Sequence, residues 1–159
     1  MHTRMRYPSL LIALATILTI GFGATAFAQQ AGTWKLNVAK STYHKGQAPK
    51  SSTLLYEAAG EGIKVTVDSV PTDGTPIHYA YAANYDGKDN PVVGNPNADM
   101  SARTRVNATT TNVVNKMGGK TLSNVTLVTS SDGKTLTITT KGTDAQGQNI
   151  DSVAFYEKQ

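Results

Sequence analysis

Residues 62–70 read Gly-Ile-Lys-Val-Thr-Val-Asp-Ser-Val, and this stretch indicates the class of fold. Ile63, Val65 and Val67 alternate with polar residues, which is the period of two expected of a strand with one buried face. The same alternation recurs along the chain, for example in residues 34–38, 77–84, 135–139 and 152–156. No segment after residue 28 shows a convincing period of 3.6. The sequence therefore predicts an all-β protein.

Short turn signals separate the alternating segments: Asp-Gly at 73–74, Asp-Gly-Lys at 86–88, Gly-Gly-Lys at 118–120 and Asp-Gly-Lys at 132–134. Such dipeptides supply the positive φ angles of tight hairpins, so neighbouring strands should pair antiparallel. About nine strands are predicted, with 90–93 the least regular segment of the set: 32–38, 52–59, 62–70, 75–85, 90–93, 99–107, 111–117, 121–129, 134–141 and 149–157. No helical crossover interrupts them. The predicted fold is a single antiparallel up-and-down β-barrel, and a β-sandwich is the alternative.

Residues 1–28 have the pattern of a signal peptide. Arg4 and Arg6 precede an uncharged apolar run at 10–20, and Ala26-Phe27-Ala28 supplies the small-x-small site of a signal peptidase. An uncleaved membrane anchor is the alternative, since 10–28 is just long enough to span. The glycines at 21 and 23 and the Ala-x-Ala site favour cleavage between Ala28 and Gln29.

This interpretation divides the chain into a signal peptide, 1–28, and a single β-barrel domain, 29–159. The protein is then periplasmic or secreted and has no stable membrane anchor after cleavage. The sequence has no cysteine, which excludes disulfides, thiol catalysis and Cys-ligated metals. Without Arg4 and Arg6 the chain has 13 Lys+Arg against 11 Asp+Glu, a net charge of +2. The basic residues are scattered singly, so nucleic acid is not an expected partner.

No residues stand out as catalytic or metal-binding. His44 and His78 have no second His, Asp or Glu at ligand spacing, so no metal site and no cofactor is expected. No Gly-x-Ser-x-Gly elbow is present, although a triad assembled from distant positions remains open. The carboxylates are few and most lie in turns, where Asp serves backbone geometry.

The segment 99–107 leaves two registers open. If the face with Met100 fills the core, the opposite face with Arg103 and Arg105 is solvated, and this reading is favoured. In the other register two guanidiniums point into the barrel, where a desolvated arginine would anchor a ligand carboxylate. Tyr79 and Tyr81 share a face and would add an aromatic wall. The candidate ligand-binding residues are therefore Tyr79, Tyr81, Arg103 and Arg105, with Glu57, on one face with Leu55, as the candidate internal acid.

Gly32-Thr33-Trp34 opens the first predicted strand, and a Gly-x-Trp in this place resembles the lipocalin signature. Residues 32–158 are similar to small bacterial lipocalin-like (calycin-type) exported proteins, which share this start, a middle like 85–89 (Tyr-Asp-Gly-Lys-Asp) and a late segment like 134–137 (Lys-Thr-Leu-Thr). The resemblance implies a closed barrel around a cavity. It also implies structural roles for Gly32 and Trp34, with Trp34 closing the base under a basic residue near the last strand. Lys158 is the nearest candidate, because the usual last-strand Arg is missing.

The functional expectation is an exported barrel that binds a small, partly apolar or anionic ligand without catalysis. The alternative is a protein-interaction module or an inhibitor of an exported protease, which would use the rim loops 40–51 and 89–98. An enzyme of isomerase or cyclase type inside the barrel has the least support. A cavity lined by Tyr and Arg would favour ligand binding, and a barrel filled with side chains would favour the interaction module.

Overall fold

The computed structural model describes residues 30–159, which hold eleven strands and one 3-10 turn at Val38–Lys40. The predicted signal peptide and its cleavage site lie outside these residues. The strands are β1 (Gly32–Leu36), β2 (Thr42–Lys45), β3 (Ser51–Ala59), β4 (Gly62–Val70), β5 (Ile77–Ala83), β6 (Asp86–Pro91), β7 (Met100–Arg105), β8 (Thr110–Met117), β9 (Lys120–Thr129), β10 (Thr135–Thr143) and β11 (Asn149–Lys158). Within the described part of the chain, no helix has the length and hydrophobicity of a transmembrane span.

All strands belong to one antiparallel sheet, in the order β5-β4-β3-β1-β11-β10-β9-β8-β7-β6. Consecutive strands are neighbours from β3 to β5 and from β6 to β11. β1 joins the two series, since Trp34 lies opposite Leu54 of β3 on one side and Lys158 of β11 on the other. The short β2 pairs with β11 beyond the end of β1.

The sheet curls into a nearly closed barrel. Its two edge strands, β5 and β6, lie on either side of one seam, and the bridge between Ala80 and Val93 links β5 to the chain beyond β6 at this seam. One continuous sheet curled on itself is a barrel rather than a sandwich of two sheets. The predicted all-β antiparallel barrel is thereby confirmed, and the sandwich alternative is wrong.

Two strands differ from the prediction, which is why the structure has eleven rather than about nine. β2 lies inside the segment 40–51, which reads as a loop because its sequence, Thr-Tyr-His-Lys, lacks apolar alternation. β6 contains Asp86-Gly87-Lys88, which was predicted as a hairpin turn. Gly87 has φ +74° and marks a register shift between Asp86 and Asp89, so the glycine serves a bulge within a strand.

The buried side chains come from the inward positions of these strands. Trp34, Ile63 and Leu136 are fully buried, and the larger cluster around them contains inward residues of β3, β4, β8, β9 and β11. Polar side chains are buried as well, which is unusual for a packed core. Arg103, Gln30 and Thr111 are the largest of them.

Candidate ligand-binding cavity

The register of β7 brings its polar face into the barrel. Ser101 and Arg103 are 1% and 2% exposed, whereas Met100 and Val106 are 37% and 55% exposed. The favoured expectation, with Met100 in the core and both arginines solvated, is therefore wrong. The physical reason is that the inner face of β7 borders a cavity, where polar groups can lie beside a ligand or water.

The barrel contains a cavity of about 340 Å³ that is open to solvent. Its walls are largely aliphatic, from Val65, Val67, Val113, Val125, Leu127 and Ile138. Residues of the two rim loops also contribute: Pro49, Asn95, Pro96 and Asn97, together with Tyr43 of β2. Among the described residues that line the cavity, Arg103 is the single charged one.

Tyrosines form much of the remaining lining. Tyr43, Tyr56, Tyr79, Tyr81 and Tyr156 face the cavity, five of the seven tyrosines in the chain. The rings of Tyr79 and Tyr81 stack with their centroids 6.4 Å apart and their planes 19° from parallel. The structure thus brings three of the four candidate residues, Tyr79, Tyr81 and Arg103, to one cavity.

Arg103 has an unusual environment for a cation. Its Nη1 donates a hydrogen bond to the hydroxyl of Tyr81 at 3.0 Å, and its Cζ lies 5.7 Å from the centre of the Tyr56 ring. Its Nε and Nη2 are buried and have no hydrogen-bond partner in the part of the chain that the structure describes. The ion pairs among residues 30–159 are all made by Lys or His, so no carboxylate of this region compensates the guanidinium.

The neighbours of Arg103 keep it charged without neutralising it. Burial acts to lower the pKa of Arg103, but the adjacent hydroxyls of Tyr81, Tyr56 and Tyr85 outweigh it, and the net direction is upward. Burial raises the pKa of Tyr56 and of Tyr79 well above the ordinary value, so both hydroxyls are neutral at physiological pH. The cavity therefore contains a positive charge surrounded by neutral groups.

The other two charged candidates lie elsewhere. Arg105 is half-buried but does not line the cavity, because its Cζ stacks 3.8 Å from the centre of the Tyr85 ring. Glu57 is exposed on the outside of β3, where its Oε2 lies 3.4 Å from Nζ of Lys64. The proposed role of Glu57 as an internal acid is wrong, since the inward face of β3 carries Leu54 and Tyr56 instead.

A hydrogen-bonded set that we call the floor cluster, Gln30, Trp34, Tyr85 and Thr111, lies outside the cavity lining. Gln30 is 1% exposed; its Nε2 donates to Thr111, its Oε1 accepts from Tyr85, and its backbone oxygen accepts from Nε1 of Trp34 at 2.8 Å. No signal in the sequence marks Gln30, which precedes the first strand and belongs to no alternating segment.

Trp34 has the basic neighbour that the family resemblance implies. Nζ of Lys158 lies 5.1 Å from the centre of the Trp34 ring, in cation–π range. Gly32 makes this approach feasible. It has φ +122°, and a Cβ at this position would lie 2.7 Å from Cε of Lys158. A side chain at residue 32 would both strain the backbone and displace Lys158.

The histidines lie on the surface. His44 is exposed on β2, and Nδ1 of the exposed His78 lies 2.6 Å from Oδ1 of Asp68 on the outside of the barrel. Within residues 30–159, no group of three or more His, Asp or Glu side chains is placed to hold a metal ion.

Sequence reasoning missed several residues of the cavity, chiefly Tyr56, Tyr156, Tyr43 and Ser101. In β3 both the face with Leu54 and Tyr56 and the face with Leu55 and Glu57 alternate with the other, and it is Leu54 and Tyr56 that point inward. On β11 the inward face carries Ala154 and Tyr156, opposite Val153 and Phe155, and Tyr156 is 7% exposed. Its hydroxyl donates to Oγ of Ser52 at 3.2 Å.

No family model matches the chain, and no curated protein matches it. Among solved structures, it is similar to a redesigned β-barrel, mFAP1, bound to DFHBI. The match has 14% sequence identity and a TM-score of 0.46, and it covers 84% of this chain and 99% of the designed one.

Proposed function

We propose that the protein is an exported, lipocalin-like barrel that binds a small, partly apolar ligand in its cavity without chemical change. The observation that carries the proposal is Arg103, a buried guanidinium with two unpaired nitrogens in an otherwise uncharged cavity. Burying a charge without a partner costs several kcal/mol. A ligand that accepts hydrogen bonds from the two unpaired nitrogens would offset this cost, and a role in binding such a ligand would explain why an arginine is buried here.

The cavity has the general composition of a ligand site. Its volume of about 340 Å³ lies at the lower end of the roughly 300–1,000 Å³ typical of such sites. Apolar and aromatic walls with a few placed polar groups are likewise typical. A barrel filled with side chains would favour the alternative, a protein-interaction module, whereas this barrel contains a cavity. Residues of the two rim loops line that cavity, which favours a role of these loops in ligand entry.

The lining also favours binding over catalysis. The lining that residues 30–159 provide contains neither carboxylate nor histidine, the side chains that most often act as general acid or base near neutral pH. The tyrosines with raised pKa values hold their protons too firmly for that role. An isomerase or cyclase inside this barrel would lack the proton-transfer group it needs.

The proposal has two further parts, the family resemblance and export. The cation–π contact of Lys158 with Trp34 and the close approach at Gly32 support the lipocalin-like resemblance. Export rests on the signal-peptide pattern of residues 1–28. N-terminal sequencing of exported material should begin at Gln29, whereas protein in the membrane fraction that still begins at Met1 would refute the proposed processing.

A matched pair of substitutions on β9 tests binding in the cavity. Val125 lines the cavity, whereas Val128, on the same strand, is 42% exposed on the outside. Val125→Trp should fill the cavity, and Val128→Trp adds the same side chain outside it. The probe is N-phenyl-1-naphthylamine, a neutral dye whose fluorescence rises in apolar surroundings.

Wild-type protein and Val128→Trp should enhance the dye's fluorescence with saturation, and Val125→Trp should not. Thermal unfolding of each variant shows that it is folded, since overpacking costs about 1–3 kcal/mol. Absence of binding to the wild type, or equal binding to both folded variants, would contradict the proposal.

A further inference from the structure

We propose that the natural ligand is a compact aromatic monocarboxylate that lies in the cavity with its carboxylate on the Nε–Nη2 edge of Arg103. This inference rests on the proposed function and specifies the chemical class of the ligand. It depends on three observations: which edge of the guanidinium is free, how many charges the cavity contains, and the shape of its aromatic wall.

The free edge of Arg103 determines the geometry of the partner. Nη1 is already bonded to Tyr81, and the unpaired atoms are Nε and Nη2, which lie on one side of the planar guanidinium. These two N–H groups point in parallel and match the two oxygens of one carboxylate. The hydrogen bond to Tyr81 thus holds the guanidinium with its bidentate edge unoccupied.

A second unpaired donor lies on the same face of β7. Oγ of Ser101 is buried and has no hydrogen-bond partner among residues 30–159, and Ser101 also lines the cavity. It is the neighbouring inward position on the strand that carries Arg103. A polar ligand atom next to the carboxylate, or one carboxylate oxygen, would satisfy this hydroxyl.

The charge of the lining sets the charge of the ligand. Arg103 contributes the single formal charge among the described lining residues, and Tyr56 and Tyr79 are neutral. A carboxylate of charge −1 would neutralise it. A phosphate monoester carries about −1.5 to −2 at neutral pH and would leave excess buried charge, which is costly.

The aromatic wall favours a planar ligand body. Tyr79 and Tyr81 present rings only 19° from parallel, and the cavity is small. A flat ring can pack against such a wall in offset or edge-to-face geometry, with about 0.5–1.5 kcal/mol beyond area burial for each such contact. A flexible alkyl chain would gain no such contact and would lose rotational freedom on binding.

Isothermal titration calorimetry with four compounds tests the proposal. Naphthalene-2-carboxylate is the proposed type of ligand, and naphthalene-2-carboxamide is its neutral isostere, which measures binding in the cavity by itself. 2-Naphthyl phosphate tests the charge, and decanoate tests the aromatic body. The proteins are the wild type, Arg103→Met and the matched control Arg105→Met, which removes the other described arginine from the same strand.

Wild type should bind the naphthalene carboxylate about tenfold to a hundredfold more tightly than the carboxamide, as expected of charge-assisted hydrogen bonds. It should also prefer this carboxylate over the phosphate and over decanoate. Arg103→Met should lose the preference for the acid and still bind the carboxamide, and Arg105→Met should keep the preference. Arg103→Lys, which retains the charge but not the bidentate edge, should show a smaller preference and serves if the Met variant does not fold.

Carboxamide binding without a preference for the acid would overturn this inference and leave the proposed function standing. A preference that survives in Arg103→Met would also overturn it. Tightest binding of the phosphate refutes the monoanion, and tightest binding of decanoate refutes the aromatic body. If none of the four compounds binds the wild type, the proposed function fails, and this inference fails with it.

Discussion

The hydroxyl of Tyr81 accepts a hydrogen bond from Nη1 of Arg103 at 3.0 Å, and this contact leaves the opposite edge of the guanidinium free. Both residues lie on inward positions near the seam of the barrel: Tyr81 on the edge strand β5, and Arg103 on β7, which pairs with the other edge strand, β6. Tyr81 is thus a positioning residue for Arg103. Its hydroxyl also supplies a hydrogen-bond acceptor to the buried cation.

Tyr81→Phe should destabilise the protein by about 1.5–3 kcal/mol, because it removes the hydrogen-bond acceptor of a buried charged group. Tyr79→Phe is the matched control. It alters the stacked neighbour, whose hydroxyl makes no hydrogen bond in the described residues, and should cost less. Urea unfolding measures both. Equal losses for the two variants would mean that the contact between Tyr81 and Arg103 contributes nothing specific.

Trp34→Ala should cost roughly 3–5 kcal/mol, as expected when a large aromatic side chain is removed from a packed interior. Trp34 is fully buried and is the single Trp of the chain, so its fluorescence reports on this one site. The emission maximum of the folded wild type should lie well to the blue of free indole in water. An emission maximum equal to that of solvated indole in folded protein would contradict the placement of Trp34.

Gln30→Ala should cost about 1–3 kcal/mol, because it leaves the hydroxyls of Tyr85 and Thr111 without their partner. The backbone bond from Trp34 would remain. Gln146→Ala, at an exposed turn position, is the control and should change stability by less than about 0.5 kcal/mol. If chemical denaturation gives the same midpoint for both variants, the floor cluster does not stabilise the barrel.

Stability should fall at alkaline pH because of the buried tyrosines. Burial raises the pKa of Tyr156 to about 12, against an ordinary value of 10.0. Below pH 10 both the folded and unfolded states keep the proton, and the contribution to stability is fully present. Between pH 10 and 12 the unfolded state loses its proton first, so the free energy of unfolding decreases as the pH rises.

Tyr156→Phe should reduce this decrease by about 1.4 kcal/mol per pH unit between pH 10 and 12, relative to the wild type. Urea unfolding at pH 8, 10, 11 and 12 provides the comparison, and the pH 8 value separates out the lost hydrogen bond to Ser52. Identical pH dependence of the two proteins would show that Tyr156 titrates as it does in water.

The sequence allowed the barrel to be predicted because alternation and turn signals are local. β4 alternates regularly and is observed over the predicted residues, 62–70. β2 could not be recognised in this way, because its sequence, Thr-Tyr-His-Lys, has no apolar alternation. It forms a strand by pairing with β11, which is distant in sequence. The insertion of β1 between β3 and β11 likewise depends on long-range pairing.

The site was harder to predict, because alternation gives two faces but does not say which one is inside. In β7 the more apolar face, with Met100, is the outer one, since the inner face borders a cavity rather than a packed core. In β3 the same ambiguity allowed the prediction that Glu57 points inward, whereas Leu54 and Tyr56 are the inward residues. Tyr79 and Tyr81 share their face with Ile77, and all three residues line the cavity.

The most direct test of the central claim is a ¹H–¹⁵N NMR measurement of the arginine Nε–Hε groups during titration with naphthalene-2-carboxylate. Residues 30–159 contain two arginines, and Arg103→Lys and Arg105→Lys each remove one signal, which assigns both. The account predicts that the Arg103 signal shifts with saturation, as its Nε donates to the carboxylate, while the Arg105 signal stays in place. An unchanged Arg103 signal at saturating ligand, or equal shifts of both signals, would contradict the account.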